Sequence, residues 1–420
     1  MTGLRRRRVI AAIAAVPFLP DLAIARPSLG RLVIVGGGFA GATLAKFAKA
    51  LEPKLSVTLI EAQSGYVACP MSNLVLAGQR QLTEQMFDYR ALAESGVDVI
   101  YDYAVDVDAV KQVVKLQNKS AVSYDRLVLA PGVQLNFEQL NGYSEKGALR
   151  MPHAWQAGAQ TTLLRRQIEA MPDDGLVIIS VPAAPYRCPP GPYERASLMA
   201  SYFKLAKPEA RIVILDSNDR FSKQTLFQQA WRELYGETIC WQSASNDGRV
   251  IRVEPASMRV HTDFDTYQPD VANIIPPQQA GEIAHMAGVV DSSGWCPVDS
   301  ISFESRQQNI HVIGDAAIAT PMPKSAFAAN AQAKVCAIAL VRLFRGMTPR
   351  TSILANTCYS YLSPNQAISI AGAYRTEEGE FSSIGAAGGA SPLKPQPGLR
   401  AQEAVHAADW FRAVTREAFG

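Results

Sequence analysis

Apolar residues along this chain follow two rhythms. Short continuous runs rich in β-branched residues predict strands buried on both faces: Leu32–Val35, Leu55–Ile60, Val97–Tyr101, Leu127–Leu129, Leu176–Ser180, Arg211–Leu215 and His311–Ile313. Asp270–Pro277 predicts one more, leading the chain back toward its first domain, and Val113–Leu116 a hairpin strand. Between them lie stretches with helical character: Ala42–Phe47, a helix end near Ala91–Gly96, the alanine-rich Ala326–Leu343 and the closing amphipathic Gln402–Phe419. Strands alternating with helices predict an α/β chain built on parallel sheets.

The first strand runs directly into Gly36-Gly37-Gly38-Phe39-Ala40-Gly41 and then into a helix. Gly36 suits a tight turn, Gly38 lets the backbone approach a pyrophosphate, and Gly41 permits close helix–strand packing. Phosphates would rest on the free N–H groups of the helix start. The second strand ends in Glu61, twenty positions after Gly41, where a carboxylate can hold a ribose 2′-OH. That context separates the motif from an ordinary glycine turn and predicts a dinucleotide site. The strand Leu176–Ser180 has no such turn. Val181–Glu194 puts five prolines and Cys188 where a pyrophosphate would lie, so no NAD(P) site is expected. Arg211–Leu215, ending in Asp216, keeps that region Rossmann-like. The expected architecture is two Rossmann-like dinucleotide-binding-type domains plus a C-terminal α+β domain. The first is discontinuous, at 27–140 and 265–345; the second covers 141–264, and the last 346–420.

Length and composition agree with this: 420 residues, 48% hydrophobic, support two or three domains with substantial cores. Arg5–Arg8, the apolar run Val9–Leu19 and Leu22–Ala25 form a secretory leader over 1–25 of twin-arginine type, too short to span a bilayer. Periplasmic export and a mature start near Arg26 are expected. No other segment is expected to be long and apolar enough to cross a membrane. The leader's four arginines and one aspartate carry all of the chain's net +3, so the remainder is near neutral and no nucleic-acid partner is expected. Six cysteines are too few for a disulfide scaffold of this size, though an oxidising compartment allows one or two specific bridges.

Two further stretches resemble flavoprotein signatures and imply that the dinucleotide is FAD. Tyr124–Gly132 ends in the small-residue turn Ala130-Pro131-Gly132, of the sort found where a chain leaves the FAD domain of flavoproteins with two dinucleotide folds. His311–Ala316 ends in Gly314-Asp315, where the aspartate typically bonds the ribityl chain. Pro321–Ser325 then caps a helix. Lys324 beside that cap either stabilises the negative charge of the reduced ring or is an exposed cap residue. Cys69, held extended by Pro70, presents its thiol from a loop near the dinucleotide. No metal site is expected.

Several blocks of the sequence resemble the flavoprotein subunit of flavocytochrome c sulfide dehydrogenase, a relative of the sulfide:quinone oxidoreductases. They are Gly36–Gly41, Pro152–Trp155, Arg187–Ala196, Gly294–Asp299, Gly314-Asp315, Pro321–Ser325 and Asn356–Ser360. The resemblance implies a redox-active disulfide between Cys188 and Cys358 over one flavin face, covalent FAD through Cys69, and Trp295 near the cofactor. It also implies a c-type cytochrome partner, in a heterodimer, that carries any haem. Cys69 is followed by Pro70-Met71 before the matching Ser72-Asn73, a departure that bears on the covalent link. Cys240 and Cys336 have no counterpart and are expected to be structural.

Hydrosulfide is a soft nucleophile suited to attack a disulfide sulfur. Attack would leave a persulfide and a thiolate, with two electrons passing to the flavin. Glu194 fits either an acid/base group or a helix-start carboxylate complementing the dipole. Other readings are a sulfide:quinone oxidoreductase, with Gln402–Phe419 as its membrane surface, and a flavoprotein that reactivates a sulfur-oxidation complex. An NAD(P)H-dependent disulfide reductase is disfavoured by the missing second glycine turn.

Overall fold

The computed structural model describes residues 28–420; the leader and its Arg5–Arg8 cluster lie outside the described residues. The chain runs through β1 (Arg31–Val35), α1 (Phe39–Leu51), β2 (Ser56–Glu61), α2 (Ser72–Leu76), β3 (Asp98–Tyr101) and β4 (Arg126–Leu129). It then builds a second unit from α3 (Ala159–Ala170), β5 (Leu176–Val181), α4 (Gly191–Ala206), β6 (Arg211–Asp216), α5 (Gln224–Tyr235), β7 (Ile239–Gln242) and β8 (Val271–Ile274). It returns with β9 (Ile310–Val312) and α6 (Ala326–Phe344). The last part is β10 (Leu354–Ser363), β11 (Gln366–Glu377), β12 (Glu380–Ser383) and α7 (Leu399–Phe419).

The first sheet has the order β9-β4-β1-β2-β3 and the second β7-β6-β5-β8, both parallel throughout. The antiparallel β10-β11-β12 sheet and α7 complete an α/β fold with two Rossmann-like sheets and a C-terminal α+β region, as expected. Continuous apolar runs form these parallel strands because both faces are covered, by helices on one side and by small antiparallel strands at 104–123 and 252–267 on the other. One expectation needs correcting. Val271–Ile274 does not lead back to the first domain; it pairs in parallel with β5, and all four residues are buried. The second sheet therefore extends past 264. A fully buried apolar run fits either sheet equally well, so its pattern does not say which it joins.

Small residues set the main helix contact. Ala42, Ala45 and Ala48 of α1 and Ala329, Ala333 and Ala337 of α6 lie in one core, with Phe411, Val414 and Phe419 of α7. Contrary to expectation, α6 is long and apolar enough to cross a membrane, with 19 residues at mean hydropathy 1.3. Its apolar face is occupied inside the fold, where Val335, Cys336 and Leu340 are buried.

Candidate active site

A cavity of about 560 Å³ opens where the three parts meet. Its first wall is the turn after β1. Gly36 adopts φ +101°, and its N–H donates to the Ile60 carbonyl at 2.9 Å. A β-carbon on Gly36 would fall on the Ala130 carbonyl, and one on Gly41 on the Gly36 carbonyl. Gly41 thus sits behind the turn as a packing residue, while Gly36, Gly38 and Glu61 line the cavity. Glu61 accepts the Gly37 N–H at 2.6 Å, which ties the end of β2 to the turn. Ala130 and Gly132, after β4, form the facing wall.

Gly314 and Asp315 close that end. The Gly314 N–H donates to Gln332 of α6 at 2.7 Å. Asp315 Oδ1 is buried without a hydrogen-bond partner among the described residues, and burial raises its carboxyl pKa. An orphaned carboxylate beside a glycine cradle suits the hydroxyl groups of a dinucleotide. These residues fit FAD.

Lys324 and Trp295 lie behind the cavity wall, contrary to the expectation that they face the cofactor. Lys324 Nζ donates to the Asp315 and Ala317 carbonyls at 2.8 and 2.9 Å and sits 3.8 Å from the centre of the buried Trp295 ring. Burial lowers its pKa to about 8. It is a clasp on the turn that presents Asp315, not an exposed cap. The cap itself is Ser325, whose Oγ accepts the Ala328 N–H.

The cysteines come from separate walls. Cys69 lines the cavity from its proline-restrained loop, with Sγ 3.8 Å from the Trp155 carbonyl. Cys188 precedes α4 in a left-handed conformation, φ +57°, its N–H donating to the Lys324 carbonyl at 2.9 Å. A β-carbon on Gly191 would lie 3.0 Å from Cys188 Sγ, so glycine there leaves room for the sulfur. Burial pushes the Cys188 thiol up to about 12, with Glu194 and Cys358 adding to it. Cys358 reaches the same cavity from the middle of β10, where Asn356 Nδ2 donates to its Sγ at 3.2 Å. All six cysteines are free thiols here, so the implied Cys188–Cys358 bond is not formed; the two share one cavity as a dithiol. Cys296 and Cys336 are buried and Cys240 is exposed.

Glu194, in the first turn of α4, accepts from the Tyr361 N–H and from Asn73 Nδ2, each at 3.0 Å. Its burial raises its pKa. The sequence reading assigned no role to the cations around it. Arg195, 2% exposed, donates to Asn73, Asn273 and the His153 and Ala154 carbonyls, and its guanidinium lies 5.1 Å from the centre of the Trp155 ring. Arg187 lines the cavity and bonds the Trp155 carbonyl. Lys223, at the N-cap of α5, reaches the Cys358 carbonyl. Arg187 and Arg195 stand in the Arg187–Ala196 block that carries the resemblance, which was the available signal. Lys223 stands outside every block, and no sequence signal marked it.

Three family models match the chain. A pyridine nucleotide-disulphide oxidoreductase model covers 30–166, and the central region of the sulfide dehydrogenase [flavocytochrome c] flavoprotein chain covers 161–276. The flavin-binding domain of flavocytochrome c sulphide dehydrogenase covers 350–419. A sulfide dehydrogenase [flavocytochrome c] flavoprotein chain from Chlorobaculum thiosulfatiphilum is 53% identical over 45 residues, which are 94% of that sequence and 11% of this chain. The chain belongs to the flavocytochrome c sulfide dehydrogenase flavoprotein family. As a member of that family it is a FAD-dependent sulfide oxidoreductase. The mouse mitochondrial sulfide:quinone oxidoreductase is 22% identical over 330 residues, 76% of this chain and 72% of that one. In fold, this family member is similar to the Aquifex aeolicus sulfide:quinone oxidoreductase, with TM-score 0.73 at 17% identity over 92% of each chain. Putidaredoxin reductase in its complex with putidaredoxin follows, with TM-score 0.64 at 16% identity over 91% of this chain and 94% of that one.

Proposed function

We propose that this flavoprotein oxidises sulfide at Cys188 and Cys358 and passes the electrons through FAD to a c-type cytochrome partner in the periplasm. The observation that carries the reading is the meeting of two thiols, 170 positions apart in sequence, in the cavity that the glycine turn and Asp315 also line. In the oxidised pair, hydrosulfide attacks one sulfur of the disulfide. The intramolecular S–S bond breaks, a new S–S bond forms to the incoming sulfur, and the other cysteine leaves as a thiolate. The bound FAD supplies a two-electron acceptor for the sulfide electrons. Gly36, Gly38, Glu61, Ala130, Gly132 and Asp315 would hold the cofactor, and Cys69, on the same cavity wall, would attach it covalently. Glu194, with its pKa raised, is the group beside Cys188 that takes or returns a proton.

A nicotinamide cofactor has no place in this reading. Asp216, the carboxylate at the end of β6, is fully buried and accepts from Tyr193 Oη at 2.5 Å and Trp241 Nε1 at 2.9 Å. Tyr193 stacks on Phe221 at 3.7 Å, so aromatic rings crowd this carboxylate. A quinone acceptor is disfavoured because Phe411, Val414 and Phe419 of α7, the segment expected to supply a membrane surface, are buried in the core.

The test is sulfide-dependent bleaching of the flavin, followed by transfer to cytochrome c or to a short-chain quinone. Cys188→Ser and Cys358→Ser should each abolish bleaching while FAD content stays near wild type. Wild-type bleaching rates in Cys358→Ser would exclude the disulfide route, and faster quinone reduction would exclude the cytochrome.

A further inference from the structure

Glu194 lines the cavity from α4, yet the groups that fix its carboxyl come from the other two parts of the chain. From β10, the Tyr361 N–H donates to Oε1 at 3.0 Å. From α2, Asn73 Nδ2 donates to Oε2 at 3.0 Å and to the Gly191 carbonyl at 3.3 Å. Asn73 is buried, and its Oδ1 accepts from Arg195 Nε at 3.1 Å.

These partners leave the amide one orientation. A guanidinium only donates and a backbone carbonyl only accepts. Asn73 must therefore turn its oxygen to Arg195 and its nitrogen to Gly191, and the second N–H then meets Glu194. Arg195 is itself held, because its remaining bonds go to Asn273 and to the His153 and Ala154 carbonyls. Two consecutive residues of α4 thus grip one side chain of α2 from its two ends. Donors on both oxygens of Glu194 favour the carboxylate, while burial favours the acid. Burial raises the pKa of this carboxyl, and the Tyr361 and Asn73 bonds oppose it.

We propose, on the reading of Glu194 as the proton-transfer group, that Asn73 is its positioning residue, held in one orientation by Arg195. The Asn73 N–H steadies the carboxylate and makes Glu194 a readier proton donor than burial alone allows. The charged and titratable groups that face Glu194 are Cys188, Arg195 on its own helix, Lys223 at the cap of α5 and Tyr361 of β10. All of them stay in place when Asn73 is substituted.

The decisive variant is Asn73→Asp. It keeps the size of the side chain and an oxygen for Arg195, but turns an oxygen to Glu194 where the N–H was. A residue that only ties α2 to α4 would tolerate this change with the titration of Glu194 unmoved. The FAD-containing protein, free of sulfide, is followed by infrared difference spectra over a pH series. The band of the protonated Glu194 carboxyl is identified by its absence in Glu194→Gln. In Asn73→Asp its midpoint should move up by about one pH unit, a tenfold change in acidity. Asn73→Ala removes the donor without adding charge, and should move the midpoint in the same direction by less. Flavin content and melting temperature establish that each variant is folded. A midpoint that stays fixed or moves down in the folded variants would overturn the proposal. With sulfide added, the pH limb of flavin bleaching that reports Glu194 should rise with the band. A band that moves while that limb stays fixed, or while the wild type fails to bleach, supports the hold of Asn73 on Glu194 and refutes the sulfide reading alone.

Discussion

His153 is buried, and its Nδ1 accepts the Trp155 N–H at 3.0 Å, a bond that requires the neutral ring. Burial, with Arg195 and Arg187 nearby, lowers its pKa from 6.5 to about 4. Between those values the unfolded chain binds more protons than the folded one, so stability rises with pH. The contribution is complete above the ordinary histidine pKa and is lost as pH falls toward the depressed one, to a total of roughly 3 kcal/mol. Denaturant titrations at successive pH values should show this slope. His153→Gln should remove part of it, because the buried His311 is displaced to about 4 as well. An unchanged slope in that variant would mean His153 is not held neutral. Cys69 offers a second test at this scale. After acid precipitation the yellow colour should stay with the protein pellet, and Cys69→Ser should release it; wild-type FAD wholly in the supernatant would rule out the covalent link.

Among the elements, the turn between β1 and α1 tolerates least. A methyl on Gly41 has no space against the Gly36 carbonyl, so Gly41→Ala must separate α1 from β1. Overpacking of this kind costs about 1–3 kcal/mol. The variant should melt lower and retain less FAD, and a melting temperature equal to wild type would show that the turn relaxes freely. This turn was legible in the sequence because its constraint is local: strand, glycines, helix and acid follow one another within 31–61. The parallel strands were legible for the same reason, as continuous apolar runs. Membership of a sheet was not. Val271–Ile274 has the same apolar pattern whichever neighbour it pairs with, and its partner, β5, lies far back in the chain. The direction of a side chain was equally hidden. Lys324 precedes a helix that begins at the cavity, yet its ammonium turns to carbonyls of the preceding turn. Lys223 reaches Cys358 across 135 positions, and no periodicity records such a meeting.

For the whole molecule, the three parts contribute unequal shares to one cavity: the cradle from the first, Cys188 from the second, Cys358 from the third. Export of such a protein already folded around its cofactor fits a twin-arginine leader. Protein recovered from its native host should begin near Arg26, and an intact Met1 by mass spectrometry would contradict export. The rings over Asp216 also have a mechanical consequence. A dinucleotide domain that takes up and releases its ligand has to open and shut around it. Here the carboxylate at the end of β6, which would grip a ribose, is already bonded by Tyr193 and Trp241 beside Phe221, so it has no ligand hydroxyl to take up and release. Relieved of that duty, the second unit is left as the mount for one sulfur of the pair, Cys188, in the wall of a cavity that serves another domain's ligand.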